Sequence, residues 1–139
     1  MYARIMVPVD LAHADRLEKA LGTAADLARH YGAGLTLVGA TGTEPGSVAR
    51  SPEAFAEKLD RFAAEAGERL GIGIEASTLH LHDVSIDLDN ALIHKAADIG
   101  ADLIVMASHV PGAAAYLFGS NAGHVAQHAP ISVMVVRGA

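Results

Sequence analysis

The sequence predicts an α/β fold in which a largely parallel sheet is covered by helices on both faces. Three observations lead there. Short runs rich in Val, Ile and Leu alternate with longer segments of helical periodicity, in the order βαβαβαβαβ. About a fifth of the chain is alanine while only 4% is aromatic, a composition that suits helices packed closely on a sheet better than a core of large rings. The length, 139 residues, suffices for one domain with a substantial core, expected over residues 1–139.

The first strand is Arg4-Ile5-Met6-Val7-Pro8-Val9-Asp10, stopped by a polar turn. From Ala12 to Tyr31, apolar residues recur at Leu17, Ala20, Leu21, Ala24, Leu27 and Ala28, the stripe of one continuous helix that Gly32 and Gly34 end. Leu35 to Ala40 is a second strand, followed by a loop from Thr41 to Arg50. Ser51-Pro52 reads as an N-cap with proline at the first helical position, and Phe55, Leu59, Phe62, Ala66 and Leu70 give that helix an apolar face. Ile74 to His82 is a third strand with alternating faces, and Leu88 to Ile99 a helix ended by Gly100. Asp102 to Ala107 is apolar enough for burial on both faces, as in a central parallel strand. A last helix, Gly119 to Ala129, is closed by Pro130, and Ile131 to Val136 is the fifth strand.

Composition also excludes whole classes of function. With no cysteine there is no disulfide, zinc-thiolate site or thiol nucleophile. A formal charge of −6 and few aromatics argue against a nucleic-acid surface, which carries a basic patch. No apolar run is long enough to span a membrane, and the first ten residues, MYARIMVPVD, lack the apolar region of a signal peptide. The expectation is a soluble, cytoplasmic protein.

In an open parallel sheet, ligands bind beyond the carboxyl ends of the strands where the strand order reverses. That directs attention to Pro8-Val9-Asp10, to Val38-Gly39-Ala40 and to the segment after Met106. Asp10 has two readings, as the N-cap of the first helix or as an acceptor for a ligand's hydroxyl or amine, and one carboxylate can serve both. Gly119-Ser120-Asn121 opens a helix whose first N–H groups lack partners and whose dipole favours an anion. That is a cradle for phosphate or, equally, an ordinary helix start. His109 stands at the mouth of this region, able to approach a phosphate or simply to face solvent.

The pieces Ile5-Met6-Val7-Pro8-Val9-Asp10, Ala101-Asp102-Leu103-Ile104-Val105-Met106, Gly119-Ser120 and the ending His128 to Arg137 together make the chain resemble the universal stress proteins of the UspA superfamily from end to end. The resemblance implies a five-stranded parallel sheet in the order 3-2-1-4-5, adenine nucleotide α-hydrolase-like in architecture. The family's nucleotide-binding pattern, G-x-x-G, nine residues, then G-[ST], is modified here. Ala107 and Val110 stand in place of the two glycines, and eight residues, Pro111 to Phe118, precede Gly119. Ala107-Ser108-His109, Pro111, Tyr116-Leu117 and Gly119-Ser120-Asn121-Ala122 are instead similar to the F- and G-type subgroup, whose shortened loop is associated with adenine nucleotides. Ile86 falls near the glycine usual after the third strand.

The resemblance implies an adenine nucleotide, ATP, ADP or AMP, with magnesium accompanying ATP. Asp10 would lie near the ribose or adenine edge, beside Pro8 and Val9. Val38 would line the adenine slot, and Met106 and Ala107 would contact base or sugar, with Ser108 and His109 beside them. Gly119, Ser120 and Asn121 would hold the phosphates. It also implies a regulatory homodimer, or a higher oligomer, that answers stress through a protein partner. Its interface is the last strand, Ile131, Ser132, Val133, Met134, Val135 and Val136, an apolar edge that needs covering. The rival reading is a dimer of the same fold that binds protein and no nucleotide.

Other constellations carry less. Eight histidines invite a metal, and His80, His82, Asp83, Asp87, Asp89 and His94 crowd one segment while His124 and His128 are spaced i,i+4. A firm site needs three or four converging ligands, and surface histidines are the commoner case, so no metal is expected. No G-x-S-x-G elbow or Walker A lysine is present, and Gly71-Ile72-Gly73 is a helix-to-strand turn. A phosphoacceptor site fails because Asp10 stands without clustered acids. Glu53, Glu57, Asp60 and Glu65 read as a solvated helical face. With no general base in view, at most slow hydrolysis is expected.

Overall fold

The computed structural model describes residues 1–42, 48–81, 84–108 and 117–138, with the backbone alone described for 84–87 and 117–121. Its five strands are β1 (Arg4–Val9), β2 (Gly34–Thr41), β3 (Glu75–His80), β4 (Leu103–Ser108) and β5 (Ser132–Arg137). The α-helices are α1 (Glu18–Tyr31), α2 (Pro52–Leu70), α3 (Val84–Asp98) and α4 (Leu117–His128), and a 3-10 helix over Leu11–Leu17 precedes α1. The strands form one parallel sheet in the order β3-β2-β1-β4-β5, as expected.

Alternation along each strand divides the core. Ile5, Val7, Val9, Leu35, Leu37, Leu103 and Val105 pack with Leu21, Ala24 and Ala28 of α1 and Phe55, Leu59 and Ala63 of α2. Met6, Val38, Ile104 and Met106 point the other way, to Leu88, Leu92 and Ala96 of α3 and Ala122 and Val125 of α4. Two helices therefore cover each face, which accounts for central strands that are almost wholly apolar. Small residues set how closely the layers approach. A Cβ at Gly39 of β2 would stand 3.0 Å from the Phe55 ring, so the ring rests directly on the strand backbone.

Local signals fix the ends. Ser51 caps α2, its hydroxyl oxygen accepting from Ala54 N–H at 3.1 Å, with Pro52 at the first helical position. Gly32 and Gly71 close α1 and α2 in the left-handed region, at φ 65° and 70°. At the amino ends of the central strands, the Asp102 carboxylate accepts from Ala3 N–H at 2.9 Å and Arg4 N–H at 3.1 Å. Those two bonds hold the carboxyl below its ordinary value, and they staple β1 to the entry of β4.

The largest departure from the expected elements follows Asp10. In place of one helix from Ala12 to Tyr31 there is a 3-10 segment to Leu17, and only then does α1 begin. His13 lies off the helical path at φ −131° and ψ 43°. Elsewhere the differences are of a few residues at the ends: α3 starts at Val84, and α4 at Leu117.

Candidate functional site

From β1 the chain crosses outward to β2, and β4 leads to the opposite edge, so the strand order reverses between β1 and β4. The two strands pair only at Ile5–Leu103 and Met6–Ile104. By contrast, β1 pairs with β2 from Arg4–Gly34 through Val9–Gly39, and β4 with β5 from Leu103–Ser132 through Ser108–Arg137. The carboxyl halves of β1 and β4 thus run side by side without ladder rungs. Pro8 lies in that half of β1 and has no N–H to donate, which fits a central strand only where a rung is absent. Around this stretch Val7 and Val105 are fully buried on the α1/α2 face and Met106 on the α3/α4 face.

Asp10 stands at the mouth of this opening, with its side chain 18% exposed. One carboxylate oxygen, Oδ1, accepts from Ala12 N–H at 3.1 Å, the bond of an N-cap. The other, Oδ2, lies 2.9 Å from His13 Nδ1. A carboxylate only accepts, so the ring nitrogen carries the proton. His13 N–H also donates to the Asp10 carbonyl at 3.0 Å, closing a turn in which backbone and side chain hold the same two residues together. The capping reading of Asp10 is therefore realised. Each oxygen keeps further lone-pair capacity, so capping leaves the ligand reading open.

The remaining sequence candidates fall into groups. Val38, in register with Pro8, and Met106 lie in the same apolar cluster on the α3/α4 face, both fully buried. Val9 and Ala107 belong to the opposite face, with Ala107 only partly buried. Met106 and Ala107 consequently offer their side chains to different sides of the sheet. Ser108 ends β4 and is 9% exposed, and its carbonyl accepts from Gly138 N–H at 3.1 Å. Gly119, Ser120 and Asn121 fall in the first turns of α4, beginning two residues after its start, while their side chains lie outside the described residues. His109 lies outside the described residues altogether.

Two features here were not read from the sequence. His13 is the first, and the D-L-A-H spacing, with a ring three residues after a capping acid, was its available signal. The second is an open groove of about 540 Å³ between the 3-10 helix and α2, lined by Leu11, Ala12, Val48, Phe62, Lys58 and Arg61 among others. Lys58 Nζ reaches across it to the Val48 carbonyl. This groove lies on the α1/α2 side, away from the Val38 and Met106 cluster.

Among the described residues the histidine-rich segments form no cluster, and the side chain of Asp87 lies outside those residues. His80 and His94 are exposed, and His82 and Asp83 lie outside the described residues. His124 pairs with Asp89 at 3.1 Å, joining α3 to α4, and its ring lies 4.2 Å from that of His128. Among the described residues no three His, Asp or Glu side chains gather as a metal site. Glu53, Glu57, Asp60 and Glu65 are exposed, as a solvated face requires. No described helix is long and apolar enough to cross a membrane.

The model of the universal stress protein family matches residues 1–137. Universal stress protein G of Shigella flexneri is 32% identical over 146 aligned positions, which cover 99% of this chain and all of that protein. A universal stress protein structure from Archaeoglobus fulgidus is similar with a TM-score of 0.73 and 25% identity, over 97% of this chain and 98% of that one. A structure from the same organism in complex with dAMP gives a TM-score of 0.69 and 25% identity, over 96% and 97% of the two chains.

Proposed function

This chain belongs to the universal stress protein family, and from that premise we propose that it binds an adenine nucleotide at the carboxyl edge of its sheet. The observation that carries the reading is the unpaired stretch between β1 and β4, with the partly exposed Asp10 carboxylate at its mouth. An open parallel sheet offers its ligand crevice at such a reversal. The dAMP complex of the Archaeoglobus fulgidus relative supports an adenine nucleotide as the class of ligand.

In this reading Asp10 accepts a hydrogen bond from a sugar hydroxyl or the adenine amine. Pro8, Val9, Val38, Met106 and Ala107 supply apolar surface for the base and sugar, with Ser108 and His109 at the rim. Gly119, Ser120 and Asn121, in the first turns of α4, meet the phosphates, where the amino end of the helix dipole favours negative charge. Magnesium accompanies ATP and offsets part of its charge. The protein acts by binding rather than by rapid turnover, as a single cytoplasmic domain over 1–139. It pairs with a second copy through β5, the sheet edge that exposes 40% of Met134. Nucleotide would favour one conformation of that dimer for recognition in a stress response.

The test is titration of the wild-type chain and Gly119→Val with ATP and magnesium, followed by calorimetry, with circular dichroism to report the fold. The reading expects saturable binding by wild type and loss of it in the folded variant. A wild type that binds no adenine nucleotide favours the rival, a dimer that recognises protein alone.

A further inference from the structure

The contact between His13 and Asp10 is more than an N-cap requires. The cap is complete with Oδ1 accepting from Ala12 N–H at 3.1 Å. Yet His13 leaves the helical path, at φ −131° and ψ 43°, with Nδ1 2.9 Å from Oδ2. We propose that His13 is a positioning residue, which fixes the plane of the Asp10 carboxylate so that its remaining lone pairs meet a hydrogen-bond donor of the bound nucleotide. This rests on the nucleotide reading above.

The physical basis is pre-organisation. An aspartate at the end of a strand turns about two side-chain bonds, and ordering it on binding costs affinity. Here each oxygen already has one partner from the chain itself, so both torsions are set before a ligand arrives. The partners lie on the side of the following turn, and 18% exposure of the carboxylate leaves an approach for a donor. The backbone bond from His13 N–H to the Asp10 carbonyl, at 3.0 Å, holds the ring's own anchor to the same residue. His13 therefore acts through Asp10.

Calorimetric titration with ATP and magnesium tests this on the full chain, comparing wild type with His13→Leu, which keeps bulk but cannot donate, and His13→Asn, whose amide N–H can. Thermal melts without ligand run alongside, and His13→Ala replaces the leucine variant if that does not fold. The expected result is about five- to tenfold weaker binding for His13→Leu, the scale of ordering one side chain on binding, with recovery to within about twofold in His13→Asn. In an Asp10→Ala background His13→Leu should have no further effect. If His13→Leu lowers the melting temperature but binds as wild type does, the residue is structural and the proposal is overturned alone. If wild type itself binds no nucleotide, the underlying reading fails and the proposal with it.

Discussion

Two helical glycines, replaced by alanine, should move stability in opposite directions. Gly22 lies within α1, and a Cβ built there meets nothing within 4 Å outside its own helix. Alanine there gains helix propensity with no steric cost, about 1 kcal/mol. Gly67 lies in α2, where the same Cβ would stand 2.7 Å from the Ile72 carbonyl oxygen and 3.6 Å from Ile74 N. That carbonyl is backbone, fixed because Ile72 N–H donates to the Gly67 carbonyl at 3.1 Å and the chain then enters β3. It cannot swing aside as a side-chain tip would. Overpacking costs about 1–3 kcal/mol, and a contact of 2.7 Å to fixed backbone belongs at the upper end, about 2–3 kcal/mol; against a propensity gain of about 1, the net loss for Gly67→Ala is about 1–2 kcal/mol. The two variants should be separated by about 2–3 kcal/mol in urea unfolding, or roughly 6–12 °C in melting temperature for a chain of this size. Equal stabilisation by both would refute the contact at Gly67 and the tight turn built on it.

Three further outcomes follow from other parts of the fold. Thr36 is 3% exposed and its hydroxyl has no hydrogen-bond partner among the described residues, so Thr36→Val should be neutral or stabilising by up to about 1 kcal/mol in urea unfolding; a loss above about 1 kcal/mol would show that the hydroxyl is satisfied in solution. Asp102 is held below its ordinary value of 3.8 by the Ala3 and Arg4 N–H groups, so its contribution to stability is complete above that pH and is lost as pH falls through the lower folded value. The stability gap between wild type and Asp102→Asn should accordingly be constant near neutrality and close only below about pH 3.8, and a gap unchanged down to pH 2 would refute the clamp. On the dimer reading, Met134→Asp puts a charge on the exposed edge of β5 and should give monomers in sedimentation where wild type is dimeric; a dimeric variant would place the interface elsewhere.

The elements most legible in the sequence were those fixed by short-range rules. Ser51-Pro52 announced the start of α2, and the run from Leu103 to Met106 announced a strand buried on both faces. The start of α3 is legible only from Leu88, because the preceding residues Val84-Ser85-Ile86-Asp87 alternate apolar and polar types and show no helical period. The break between Leu11 and Leu17 was illegible for a different reason. Leu17, Ala20, Leu21 and Ala24 continue one stripe, and the turn before it, where His13 leaves the helical path beside its contacts with Asp10, leaves no trace in that periodicity. At the candidate site, Asp10 could be found as a cap from residue type and position alone. The unpaired half of β1 and β4 is a relation between strands distant in sequence, and Pro8 was its one local trace. That Met106 and Ala107 face opposite sides follows from strand alternation, which becomes informative only once the strand's limits are known.

The central claim, adenine-nucleotide binding at the β1–β4 opening, is met most directly by the absorbance spectrum of freshly purified protein and chromatography of its acid extract, followed by titration with ATP and magnesium. Three tyrosines and no tryptophan leave a weak protein band near 280 nm, so adenine absorbing near 260 nm stands out. ATP, ADP or AMP is expected in the extract at near-stoichiometric amount, or saturable ATP binding by the emptied protein, with either abolished in Gly119→Val. A nucleotide-free extract together with no response to ATP would contradict it.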